Sequence, residues 1–141
     1  QVGSHLGQES LTLQADTFER LCLGQLHETI GPSENEDPIA HYIQVMADKT
    51  GSLISASARL GIILSGAPAE FEEPMRLYGE KIGVAFQLID DVIDISAAGP
   101  SGKTPGTDLR AGVPTLPVLL LRKAKKHLLP MLLKKQPKTL N

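Results

Sequence analysis

One segment limits the possible folds more than any other. Between residues 75 and 93 the apolar side chains Met75, Tyr78, Ile82, Ala85, Ile89 and Ile93 recur at steps of three and four, the spacing of one face of an α-helix. In the same segment Gln87, Asp90, Asp91 and Asp94 fall at i, i+3, i+4 and i+7, a single polar stripe on that helix. Like charges one turn apart cost a helix roughly 0.2–0.5 kcal/mol per pair, and carboxylates are rarely buried unpaired. The stripe therefore faces bulk water or binds cations. Phe86, Leu88, Val92 and Ile95 keep the helix apolar on both sides of it, which is unusual for a face in open water.

The rest of the chain reads as helix too. No period-2 alternation is long enough to argue for a strand, and there is no internal repeat. Aromatic residues make up 4% of the chain and Trp is absent, so the core must be built from Leu, Ile, Val and Ala, which helical packing uses readily. An all-α fold is expected. Helices are predicted over about Gln8 to Thr29, from Pro38 to the stop signal "SGAP", from about Pro68 through the carboxylate stripe, and from Asp108 onward with early interruptions at Pro114 and Pro117. Asp37 before Pro38 is a strong helix start, and Ser33 with Glu36 has the spacing of a capping box. The Pro38 helix is apolar or small nearly all round, which predicts neighbours on every side. Pro74 is expected to distort or restart the third helix. Residues 96–107, with Gly and Pro at five of twelve positions, read as a mobile loop.

Composition excludes several functions. The lone Cys22 has no partner for an intrachain disulfide, and His5, His27, His41 and His127 are too scattered for a zinc site, so a reduced, cytoplasmic setting is expected. The longest uncharged stretches, such as Leu60 to Ala69, are about half a membrane span. The opening "QVGSHLGQES" has no signal-peptide pattern and reads like a cut. Charge is asymmetric: residues 1–108 carry a net −10 and residues 109–141 a net +8. The basic end fits a solvated helix terminus or a contact with an anionic surface, at most a peripheral membrane. No aromatic residues interleave with its lysines, which argues against nucleic acid. Residues 1–126 are expected to form the folded part and 127–141 a poorly ordered basic tail.

Clustered carboxylates are hard ligands suited to Mg²⁺, which completes its shell with water and phosphate oxygens, so a phosphorylated substrate is expected. The loop after the stripe adds the cations Lys103 and Arg110. In "MADKTGSLI" Lys49 sits within a mostly apolar helix, where its ammonium must reach an anion. A simple ion pair with Asp48 or Glu80 is the plain alternative. The "GKT" at Gly102 to Thr104 lacks the glycine that a P-loop needs at Ala97 and follows a helix rather than a strand.

The stretches "YIQVMADKTGSLI", "GVAFQLIDDVID" and "SGKTPGTDLRAGVPTLPVLLL", in that order, resemble the second half of trans-type polyprenyl diphosphate synthases, the last being closest to bacterial long-chain members. The resemblance covers about Leu11 to Arg122. It implies an all-α helical bundle of the isoprenoid synthase type, here incomplete, and a Mg²⁺-dependent prenyltransferase that condenses isopentenyl diphosphate with an allylic prenyl diphosphate. By the same resemblance, Asp90, Asp91 and Asp94 hold the metal, Lys49, Thr50 and Gln87 line the diphosphate site, and Lys103 closes over it. Lys49 and Lys103 would stabilise the leaving pyrophosphate. Gly24 and Gln25 match a Gly-Gln pair beside the cavity, and Gln25 reads equally well as a polar residue at the edge of the core. A terpene cyclase of similar fold wants Ser or Thr at position 94 and Glu at 98, where this chain has Asp94 and Ala98. That favours chain elongation. The family's first aspartate-rich motif has no match in residues 1–85, which implies a fragment of the enzyme or, alternatively, a non-catalytic subunit of a heteromeric synthase. A homodimer or heteromer is expected, because a partial bundle exposes apolar helix faces.

Overall fold

The computed structural model describes residues 7–95 and 106–134. Among them every regular element is helical: α1 (Gly7–Ile30), α2 (Pro38–Met46), a π-helical turn (Ala47–Gly51), α3 (Ser52–Ser65), a 3₁₀ turn (Ala69–Phe71), α4 (Glu72–Ile95), α5 (Thr107–Arg110) and α6 (Leu116–Lys134). The chain divides into two packing units, Gln1–Asp90 and Asp91–Asn141, with the division inside α4.

The predicted boundaries have visible chemical causes. The Asp37 carboxylate accepts the Ile39 N–H at 2.8 Å and Pro38 fills the first helical position, so α2 starts where a cap and a fixed φ coincide. Of the Ser33–Glu36 pair, the Glu36 carboxylate accepts the Ser33 N–H at 3.3 Å. Gly66, at φ +67°, ends α3 in the left-handed conformation that glycine adopts at least cost. Pro74 lies in the first turn of α4, where its missing N–H has no helical partner to lose, so the helix is not broken there.

One expectation is corrected in the first unit. The segment from Pro38 to Ser65 is interrupted by the π turn, so its two halves present different faces, and it is not covered all round: Ile43, Leu53 and Leu64 are exposed. In α4 the inward side is the small side. Gly79 and Gly83 are buried, while Tyr78, Ile82 and Ile89 of the apolar seam are exposed.

Small residues set the packing. A methyl group at Gly83 would lie 2.7 Å from the Gly51 Cα, and one at Gly79 would lie 2.7 Å from the Ser55 Cα, so α4 touches the π turn and α3 backbone to backbone. On the other side α1 packs against α2, the π turn and α3, with Gly24 against Asp48. The buried set is accordingly as polar as it is apolar, with Leu13, Val45, Met46 and Ala56 beside Ser10, Asp48, Ser52 and Ser55. In the second unit Thr115 and Leu119 are buried at the start of α6, and the Gly106 N–H donates to the Asp94 carbonyl at 2.6 Å.

Candidate functional site

The π turn carries three functional-looking residues in succession, Asp48, Lys49 and Thr50. A π turn adds a residue to one helical turn and is frequent at functional sites. Its first side chain is tied down. Asp48 is buried, its Oδ1 accepts Arg20 Nε of α1 at 2.8 Å, and Gln44 Nε2 lies 3.1 Å from both its oxygens. The same guanidinium donates through Nη1 to Glu80 Oε2 on α4 at 2.8 Å. Burial works against the charge of Arg20, yet its hydrogen bonds to Glu80 and Asp48 outweigh that and raise its pKa above the ordinary arginine value. Arg76 Nη1 approaches Glu80 at 3.4 Å, while Arg76 Nε and Nη2 donate to Glu73, whose carboxyl is held below its usual range by the hydrogen bonding to Arg76.

The next two residues face a cavity. An open pocket of about 440 Å³ is lined by Leu21, Cys22 and Gln25 of α1 and by Lys49 and Thr50. The Lys49 ammonium donates to Glu28 Oε2 at 2.6 Å. The anion it reaches is thus on α1, and neither Asp48 nor Glu80 serves. Gln25, Lys49 and Thr50 line the same pocket. Gln87 and Asp90 lie half-buried on α4 within the same unit.

Asp91 and Asp94 belong to the second unit, and both are buried. Asp94 Oδ2 accepts the Asp108 N–H at 3.1 Å, in the first turn of α5. Asp91 Oδ2 accepts the Leu116 N–H, also at 3.1 Å, at the first residue of α6. Helix-start N–H groups have no partner in their own helix, so each aspartate satisfies one from outside. Among the described residues no three His, Cys, Asp or Glu side chains gather as a ready set of metal ligands. Lys103 lies outside the described residues.

Sequence reasoning missed Arg20, Glu28, Gly79 and Gly83. The two glycines gave a signal: at i and i+4 in a helix interior, each costs about 1 kcal/mol relative to alanine, a cost that close helix contact repays. Arg20 and Glu28 gave none, because each acts on a residue more than twenty positions away.

The described residues thus form helices, with Lys49 and Thr50 on a cavity wall and an aspartate stripe on α4. The family model for polyprenyl synthetase matches residues 2–140. The chain belongs to the polyprenyl synthetase family. It is 51% identical over 117 residues to a nonaprenyl diphosphate synthase of Mycobacterium tuberculosis, an overlap of 82% of this chain and 35% of that protein. A crystal structure of geranylgeranyl pyrophosphate synthase from Corynebacterium glutamicum, complexed with calcium and isoprenyl diphosphate, superposes with a TM-score of 0.75 at 44% identity, covering 83% of this chain and 36% of that one. A heptaprenyl diphosphate synthase from Staphylococcus aureus gives 0.74 at 28% identity over 96% of this chain and 42% of that one. The chain thus spans about a third of the length of the curated relative it matches. No helix among the described residues is long and apolar enough to cross a membrane.

Proposed function

We propose that this chain supplies the diphosphate-binding part of a trans-prenyltransferase that joins isopentenyl diphosphate to an allylic prenyl diphosphate and lengthens a polyprenyl chain. The observation that carries the reading is the gathering of Gln25, Lys49 and Thr50 on one cavity wall in a chain of this family. An allylic diphosphate leaves as pyrophosphate, so the catalytic need is a set of fixed positive charges and donors where negative charge develops. Lys49 meets it by exchanging Glu28 for a phosphate oxygen, and Thr50 and Gln25 donate hydrogen bonds. Lys103 would close over the same group. No protein nucleophile is required.

Asp90, Asp91 and Asp94 would hold Mg²⁺. Their donor set is carboxylate oxygen on a single helix stripe, with Asp91 and Asp94 fixed by backbone N–H bonds, which fits a hard cation that completes its shell with water and phosphate. When bound, the ion supplies positive charge to the departing diphosphate. Gln87, on the same stripe, would orient that group. The related Corynebacterium enzyme was crystallised with a divalent cation and an isoprenyl diphosphate, which supports this assignment. Exposed Phe18, Leu26 and Ile30 along α1 support a homodimer or a complex with a synthase subunit. The exposed, unpaired thiol of Cys22 suits a reduced cytoplasmic setting.

Calorimetric titration of the 141-residue chain with farnesyl diphosphate, with and without Mg²⁺, tests the reading. Binding should require the metal and weaken at least tenfold in Lys49→Ala. Metal-independent binding that Lys49→Ala leaves unchanged would refute it.

A further inference from the structure

The Arg20 side chain joins three helical elements, α1, the π turn and α4. It rises from α1, takes Asp48 on the π turn through Nε and Nη2, both at 2.8 Å from Oδ1, and takes Glu80 of α4 through Nη1. The guanidinium fork is planar and rigid, so holding two carboxylates at once fixes the angle between them as well as the distance. Asp48 immediately precedes Lys49. Any rotation of the turn that moved Asp48 off the fork would swing Lys49 and Thr50 on the same backbone.

The turn is bracketed by backbone contacts on both sides. A Cβ at Gly24 would stand 2.9 Å from the Asp48 Cβ and 3.0 Å from the Lys49 Cγ, and the Gly83 face lies against Gly51. These contacts stop the turn from moving toward α1 or α4. They do not stop it from twisting about its own axis or closing to an ordinary α turn, in which a residue in mid-helix bonds four residues back rather than five. The Ser52 N–H donates to the Ala47 carbonyl, the five-residue bond that makes the turn wide, and the Ser52 hydroxyl donates to the Asp48 carbonyl. Gln44 also holds the Asp48 carboxylate, but from the preceding turn of the same segment; the Arg20 fork is the restraint that ties it to α1 and α4 together.

We infer that Arg20 is a positioning residue for diphosphate binding: by clamping Asp48 and Glu80 together it holds the π turn open and aims Lys49 and Thr50 at the cavity. It touches no substrate. The inference rests on the function proposed above and adds to it a residue on another helix, outside the motifs that carry the resemblance.

The test compares the wild-type chain with Arg20→Lys, Arg20→Gln and Glu80→Gln, using Lys49→Ala as reference. Each is titrated with farnesyl diphosphate and Mg²⁺ well below its melting temperature, and the amide resonances of residues 47–52 are followed by NMR. Arg20→Lys keeps the charge but cannot span both carboxylates, so it should melt close to wild type yet bind about tenfold more weakly. Arg20→Gln should bind as weakly as Lys49→Ala, and Glu80→Gln, which leaves the Asp48 half of the clamp, should lose about threefold. The amide shifts should change in the π turn and not in the middle of α3. If Arg20→Lys binds like wild type while Lys49→Ala does not, the positioning role is overturned and the diphosphate site stands. If Lys49→Ala also binds like wild type, the diphosphate reading itself falls. Should Arg20→Gln fail to fold, the lysine and Glu80 variants decide the matter.

Discussion

Two sets of buried aspartates in this molecule are stabilised by different means. Asp48 in the first unit meets a guanidinium, which orients it and cancels its charge. Asp91 and Asp94 in the second unit accept backbone N–H groups at the starts of α6 and α5, bonds that orient a carboxylate without themselves supplying a positive charge. The first arrangement makes a joint between helices. The second suits a carboxylate whose charge has further work to do, such as attracting a cation. On the function proposed above, identical residue types serve the fold in one place and the chemistry in the other.

The comparison can be broken first at the joint. Gly83→Ala puts a methyl group against the Gly51 backbone and should cost about 3 kcal/mol, the upper range for overpacking, read as a lowered denaturant midpoint. Asp48→Ala leaves Arg20 facing Glu80 alone. With Arg20 about a third exposed, screening limits the loss to about 2 kcal/mol, and it should be the same with or without Mg²⁺. Asp94→Asn sharpens the contrast. The amide oxygen still accepts the Asp108 N–H, so stability should change by less than about 1 kcal/mol while Mg²⁺-dependent diphosphate binding weakens at least tenfold. A drop in melting temperature as large as that of Asp48→Ala would show that Asp94 is structural as well.

The smallest effect concerns pH. The His41 hydrogen bond, then the Ser33 N–H, lower the pKa of Glu36 below its ordinary 4.5. A lowered carboxyl pKa contributes stability that is present above the unfolded-state value and lost as the pH falls through the folded-state value. Wild type should therefore be slightly more stable than Glu36→Gln at neutral pH, and their melting curves should converge on acidification. Curves that stay parallel would mean that the contact contributes nothing.

Much of the helical order was legible because its signals are local: Asp37 and Pro38 at a helix start, glycine at a helix end, a three–four period in α4. The orientation of α4 was not. Periodicity shows that a face is uniform and does not show which way it turns. Here Gly79 and Gly83 let two backbones meet, a contact that leaves Ile82 and Ile89 outside. The carboxylate stripe was visible from spacing, and Lys49 and Thr50 from their motif. The cavity they line depends on α1, which comes near the turn only once the chain has folded.

The π turn also sets where this sequence can change in length. It takes up one extra residue within a single helical turn, so removing one residue between Ala47 and Gly51 would convert the wide turn to an ordinary one and leave the segments before and after it facing nearly as they do now. Ser55 would still meet Gly79, and what would go is the width that sets Lys49 and Thr50 beside the cavity. Removing one residue from the middle of α3 has no such outlet and would turn everything beyond it by about 100°. A one-residue gap in an alignment of relatives should therefore fall at this turn sooner than inside α2 or α3.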